Sequence, residues 1–163
     1  SNFELMAMQI EKSGVNLAAI YRPLNNIFLN VIMERIRKKY ICKNQIKKGT
    51  RGVRELLKLY KKGYSIALMI DQRVTQGIKS KFFNEDAFTT TIPAQFVKKF
   101  NCKIVPIYIE RFDGTNFKIK VEKPIIFSKG VSTEKITRDL NIWLEKTILK
   151  NPGKWIWSHN RWR

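Results

Sequence analysis

A short apolar run, Ser65–Ile70, stops abruptly at Asp71-Gln72, and helical periodicity resumes only at Ala94–Phe100, beyond Gly77-Ile-Lys-Ser-Lys-Phe-Phe and Thr89-Thr-Thr-Ile-Pro. A run of that length suits a buried strand, and the Thr/Pro cluster suits a helix start. Everything between them is therefore expected to be a loop at a strand end. In open α/β sheets such loops line the ligand crevice.

The flanking segments extend this pattern. Phe3–Lys12 carries Leu5, Met6, Met8 and Ile10 and stops at Ser13-Gly14, as a short helix closed by glycine does. Val15–Tyr21 reads as a strand broken by Pro23. Asn25-Asn26 can cap the next helix, whose stripe Ile27, Phe28, Val31, Ile32 and Ile36 runs into the basic end Arg35–Tyr40. After a basic loop, Gly52–Lys62 has helical spacing and ends at Gly63, just before the Ser65 strand. Lys103–Glu110 and Phe117–Val121 flank the turn signal Asp113-Gly114 as an antiparallel pair. Ser132-Thr133-Glu134-Lys135 opens a helix with Ile136, Leu140, Trp143, Leu144 and Ile148 on one face, ended by Asn151-Pro152-Gly153. The expected order, α-β-α-α-β-α-β-β-α, is that of an α/β sandwich.

At 163 residues and 44% hydrophobic content, the chain is long and apolar enough to fold as one domain around a core. Its 32 Lys+Arg against 13 Asp+Glu give a net charge of +19, so the partner should be anionic. Nucleic acid, a phospholipid or phosphoglycolipid surface and an acidic carrier protein all fit that charge. Cys42 and Cys102 lack metal-ligand spacing and read as two plain thiols, with neither metal nor disulfide expected. No apolar run approaches the roughly 20 residues that span a bilayer, and no signal peptide is evident.

Several side chains could carry chemistry. Glu4 is either a helix N-terminal charge favoured by the dipole or a carboxylate placed to orient an imidazole. Arg22 and Arg111 end strands and would grip an anionic group by bidentate hydrogen bonds, or else are solvated strand-end charges. Arg35 and Arg37 on the basic helix end are similar, Arg37 the more so. Asp71 and Gln72 either align a bound ligand or organise the arginines, or merely form a turn after the strand. Phe82, Phe83 and Phe88 either wall an apolar cleft or plug the core beneath the loop. His159, the only histidine, reads as a site-edge residue. Trp155, Trp157 and Trp162 beside Arg161 and Arg163 suit a membrane interface, or pack on the last helix.

Four separated blocks together resemble the late acyltransferases of lipid A biosynthesis, the lauroyl/myristoyl transferases within the His-x4-Asp/Glu glycerolipid acyltransferase group. Ser1-Asn2-Phe3-Glu4 resembles the second half of the His-x4-Glu motif, and Tyr21-Arg22-Pro23 with Asn25-Asn26 resembles the second block. Asp71-Gln72 through Gly77, Phe82-Phe83 and the threonines resembles the third. Asn151-Pro152 through Trp155-Ile-Trp-Ser-His-Asn-Arg-Trp-Arg resembles the closing Trp/His/Arg block. The likeness spans essentially the whole chain.

The resemblance implies a mixed, mostly parallel central sheet flanked by helices, in a single acyltransferase domain over 1–163 that lacks its N-terminal part. It implies transfer of an acyl chain from acyl carrier protein to a hydroxyl of a phosphorylated lipid A precursor, with no cofactor. The acceptor hydroxyl would be activated by a His two positions before Ser1, and Glu4 would hold that imidazole. Without that His, catalysis should be lost or badly impaired; Ser1-Asn2 could also be a cloning remnant. Arg22, Arg37, Asp71, Gln72, Lys79, Phe82, Phe83, Arg111 and His159 are the implied substrate-binding residues. The implied location is the cytoplasmic face of the bacterial inner membrane, on an anionic lipid surface, peripheral or anchored by a further segment. A basic nucleic-acid module is the rival reading, with no recognisable motif behind it. An acyltransferase for another glycolipid or a glycerophospholipid is the third.

Overall fold

A computed structural model describes residues 3–162, so Ser1-Asn2 of the front block and Arg163 of the tail lie outside the described residues. The chain gathers into two compact units, one holding the residues up to Met69 with Tyr108–Lys120, the other Ile70–Ile107 with the residues from Val121 onward.

The first unit runs α1 (Phe3–Lys12), β1 (Leu17–Tyr21), α2 (Ile27–Tyr40), β2 (Asn44–Lys47), α3 (Thr50–Lys61) and β3 (Ser65–Ala67). Its three strands form a parallel sheet in the order β2-β1-β3, with Ala18 opposite Asn44 on one side and Ile66 on the other. As the middle strand, β1 buries Leu17, Ala18 and Tyr21, and Leu17 packs with Ala7 of α1 and Cys42. Asn26 caps α2, its Oδ1 accepting from the backbone N–H of Phe28 and Leu29 at 3.0 and 3.1 Å. The segment expected as a basic loop after α2 contains β2, a strand of four residues too short and polar to read from periodicity.

The apolar stripe of α2 is not a buried face. Ile27, Phe28, Val31, Ile32 and Ile36 are exposed, and no residue of the helix is fully buried. The half-buried positions are Asn30, Met33, Glu34 and Arg37. Burying ionised groups is costly unless they are paired, and both charges here have partners: Glu34 meets Lys47 of β2, and Arg37 meets Glu4 of α1.

In the second unit, the stretch expected to be a loop after Asp71 is a hairpin. Strands β4 (Ile78–Phe82) and β5 (Glu85–Thr89) pair antiparallel, Ile78 opposite Thr89 and Phe82 opposite Glu85. The two-residue turn is Phe83-Asn84, with φ of 51° and 63°, the double positive φ that matches the twist of paired strands. A Cβ on Gly77, just before β4, would run into the carbonyl oxygen of Thr89, so the hairpin closes only over glycine. Helix α4 (Ile92–Phe100) follows, and α5 (Thr133–Lys150) starts where the Ser132 hydroxyl accepts from Lys135 N–H at 3.1 Å. Ala94 and Val97 of α4 pack with Ile136 and Leu140 of α5 and with Phe127. The Asn141 side chain on α5 donates to Ser80 Oγ, to the Lys81 carbonyl and to Thr89 Oγ1, tying that helix to the hairpin.

Strands β6 (Ile107–Phe112) and β7 (Asn116–Val121) form a further two-stranded sheet across Asp113 and Gly114, both at positive φ. The fold is α/β as expected, but its parallel part is three strands wide and the remaining strands pair two by two. The element order gains β2, β4 and β5 over the expected one.

Candidate active site

In the first unit, a cleft opens where β1 ends, lined by Phe3, Met6 and Ala7 of α1, by Ala19 and Tyr21 of β1, and by Met69. Arg37 reaches into it from α2 and donates from Nε to Glu4 Oε1 at 2.7 Å. The guanidinium is 12% exposed and lies over the Tyr21 ring, 5.4 Å from its centroid. Its Nη1 is buried with no partner among the described residues. A cation stacked on an aromatic face and fixed by a carboxylate is a rigid arrangement, because the planar guanidinium is preorganised. The cleft holds about 60 Å³, small beside the roughly 300–1,000 Å³ of pockets that enclose a drug-sized ligand.

A second layer supports this pair. The Tyr21 hydroxyl donates to Glu34, as do Lys47 Nζ at 3.0 Å and Asn30 Nδ2 at 2.6 Å. The hydrogen bond from Tyr21, then that from Lys47, holds the Glu34 carboxyl down at about 2. Burial, reinforced by Glu34, pushes the Tyr21 hydroxyl above its ordinary range, so it stays a protonated donor. Cys42 is 1% exposed, and burial raises its thiol to about 12, which leaves it an inert packing group.

In the second unit, Arg161 organises the Asp71-Gln72 segment. Its side chain is fully buried; Nη1 donates to the carbonyls of Gln72 at 2.9 Å and Phe88 at 2.7 Å, and Nη2 to the Ile70 carbonyl at 3.3 Å and Thr89 Oγ1 at 3.2 Å. The guanidinium also lies over the Phe82 ring at 5.2 Å. Asp71 sits beside it. Burial raises the Asp71 carboxyl above the usual range, opposed by its own backbone N–H, the Arg161 charge and the Trp155 side chain, and its Oδ1 has no partner among the described residues. His159 Nε2 accepts from the Arg73 backbone N–H at 3.3 Å, which ties the tail to the same segment.

The sequence-selected residues thus fall into sets. Glu4 and Arg37 meet directly, and Asp71, Gln72 and His159 are gathered by Arg161 and Arg73. Phe82 is fully buried, its ring edge-to-face with Phe83 and Trp155 at 4.9 and 5.8 Å and tilted against Trp162 at 5.7 Å, which is the packing alternative of the two sequence readings. Phe83 is half-buried, and Glu145 accepts its N–H at 3.0 Å. Trp155, Trp157 and Trp162 pack on one another in this cluster. Lys79 is exposed, its Nζ 6.0 Å from the Phe88 ring centroid. Arg22 is exposed at the end of β1; Arg111 is exposed at the end of β6, over Phe117 at 5.0 Å.

Sequence reasoning missed Glu34, the Tyr21 hydroxyl and the anchoring role of Arg161. The first had a signal: Asn30, Glu34 and Arg37, four and three residues apart, share one helix face. Arg161 had none beyond its place among tryptophans. Among the described residues, no three or more His, Cys, Asp and Glu side chains gather as metal ligands would, and no helix is long and apolar enough to cross a membrane.

A carboxylate fixed by a guanidinium, in an apolar cleft at the carboxyl ends of parallel strands, defines a crevice of the α/β enzyme kind. The sequence model of the bacterial lipid A biosynthesis acyltransferases matches residues 1–163, and the chain belongs to that family. Among curated proteins, none matches the chain.

Proposed function

We propose that residues 1–163 act as one acyltransferase domain, moving a fatty acyl chain from acyl carrier protein to a hydroxyl of a phosphorylated, sugar-based lipid A precursor at the cytoplasmic face of the inner membrane. The observation that carries the reading is Glu4 held through Oε1 by Arg37 on the rim of the apolar cleft. In this reading an imidazole from a His two positions before Ser1 donates one ring N–H to Glu4. Its other nitrogen takes the proton of the acceptor hydroxyl. The oxygen attacks the thioester carbonyl, the C–S bond breaks, and the carrier thiol leaves with the proton held on the imidazolium. Glu4 stabilises that imidazolium, and Arg37 keeps Glu4 in place.

Arg22 and Arg111 are proposed to bind the phosphates of the acceptor, and Asp71, Gln72, Lys79, Phe83 and His159 to border the substrates, with Phe82 supporting them from beneath. The charge of +19 suits both an acidic carrier protein and an anionic lipid surface. The test is transfer from labelled acyl carrier protein to a tetra-acylated lipid A precursor, by this chain and by a version extended upstream to restore the His. Transfer by the extended protein, at least about 10²-fold above this chain, is expected. Transfer by neither, with tight and salt-sensitive oligonucleotide binding, would replace the reading with a nucleic-acid module.

A further inference from the structure

The outer side of α2 is an apolar surface with no partner among the described residues. Phe28 is 85% and Ile27 77% exposed, and Leu24, Leu29, Val31 and Ile32 lie between 39% and 54%. Single exposed apolar residues are ordinary, whereas a contiguous set at one end of a helix marks an interaction surface. The charges beside it have one sign. Arg35, Lys38 and Lys39 are exposed about a turn further on, next to Tyr40 at 58%, while the one acidic residue of the helix, Glu34, is half-buried and paired with Lys47.

We propose that α2 seats the protein on an anionic phospholipid bilayer, with Leu24 and the first two turns entering the acyl boundary and the basic collar lying on the lipid phosphates. An apolar end followed by a cationic band complements that boundary, where acyl chains give way to negative headgroups. An acidic protein would meet the cations and leave Phe28 and Ile27 in water. The seat also has a use: Arg22 is two residues from Leu24 in the chain, hence within about 7 Å, so a seated α2 holds the end of β1 at headgroup level, where a lipid acceptor presents its phosphates. The inference deepens the membrane-surface partner of the proposed function and rests on that reading for the identity of the surface.

The experiment is co-sedimentation with phosphatidylcholine vesicles with and without phosphatidylglycerol, using this chain and the upstream-extended version. Both should bind the phosphatidylglycerol vesicles. Phe28→Glu with Ile32→Glu should weaken that binding about tenfold or more with the urea midpoint unchanged, because both side chains stand in water in the folded protein. Lys38→Gln with Lys39→Gln should weaken it several-fold and flatten its salt dependence. Phe28→Trp should bring new fluorescence that brominated lipid quenches. Vesicle binding untouched by the Glu pair overturns the α2 seat while leaving the membrane reading standing. No vesicle binding by either chain overturns both. A fall in the urea midpoint of the extended protein on Phe28→Glu, or a dimer that this substitution dissolves, assigns the face to an upstream segment or to a second copy and overturns the seat.

Discussion

Removing the Arg161 guanidinium should be among the most damaging single changes in the second unit. It donates to the carbonyls of Ile70, Gln72 and Phe88 and to Thr89 Oγ1 from a fully buried position. Arg161→Met keeps much of the volume but strands those acceptors, each costing about 1–3 kcal/mol if left unpaired, and leaves the half-buried Asp71 without the Arg161 charge. Relaxation and water entry recover part of this, so about 3–5 kcal/mol is expected, as when one partner of a buried ion pair is lost. A domain holding about 5–15 kcal/mol in all would lose about a fifth or more of its stability. Arg161→Lys keeps the charge but cannot span both pairs of acceptors, and should fall between. Urea unfolding read by the fluorescence of Trp155 and Trp162, which pack against the Phe82 ring beneath the guanidinium, measures the loss. Asp71→Asn added to Arg161→Met should return about 1 kcal/mol or more, because it removes the stranded charge. An Arg161→Met midpoint shift worth less than about 1 kcal/mol would refute the argument, since the acceptors would then have to be satisfied without the guanidinium.

Three further outcomes follow from the same geometry. Asp71 has a folded-state pKa raised by burial, so it favours the folded state below the ordinary carboxyl range and loses that contribution as pH rises through the folded value; Asp71→Asn should therefore stabilise the protein at pH 7 and flatten the upper part of its acid stability profile, read as urea midpoints against pH. Glu34 is the opposite case, held at about 2, so its stabilisation is complete above the ordinary carboxyl value and lost as pH falls toward 2; the full shift would be worth about 3 kcal/mol and, with the side chain 19% exposed and partly screened, Glu34→Gln should cost about 1–2 kcal/mol at pH 7 and little at pH 2. Gly77→Ala should cost about 2 kcal/mol or more and loosen the β4–β5 hairpin in amide exchange, because the added methyl meets the Thr89 carbonyl.

How far the sequence disclosed this molecule depended on whether each signal was local. Helices α1 and α5 carried their caps with them, in Ser13-Gly14 and Ser132, and both were legible almost to the residue. The β4–β5 hairpin was not, because its turn is Phe83-Asn84 rather than Asn-Gly, and a bulky residue at positive φ is held there by contacts from distant positions: Glu145 on its N–H and Trp157 against its ring. For α2 the periodicity was read correctly but not its orientation, since burying Asn30, Glu34 and Arg37 depends on partners in β1, β2 and α1 that no window of the helix contains. Glu4 was singled out by family resemblance; its pairing with Arg37 spans 33 positions and emerges only once α1 and α2 are packed. Arg161 illustrates the same limit. Beside three tryptophans it suits a membrane interface, yet it is a fully buried clamp.

The central claim is that Glu4 acts through an imidazole in acyl transfer, and the direct test is the rate of transfer by the upstream-extended protein carrying Glu4→Gln. The glutamine keeps the size of the side chain but loses the charge that stabilises an imidazolium. The account predicts a fall in kcat of about 10²-fold or more, with KM for the lipid acceptor little changed and the urea midpoint within about 1 kcal/mol of the parent, since the Glu4 side chain is 34% exposed. A Glu4→Gln protein that transfers acyl chains within threefold of the parent rate would contradict it.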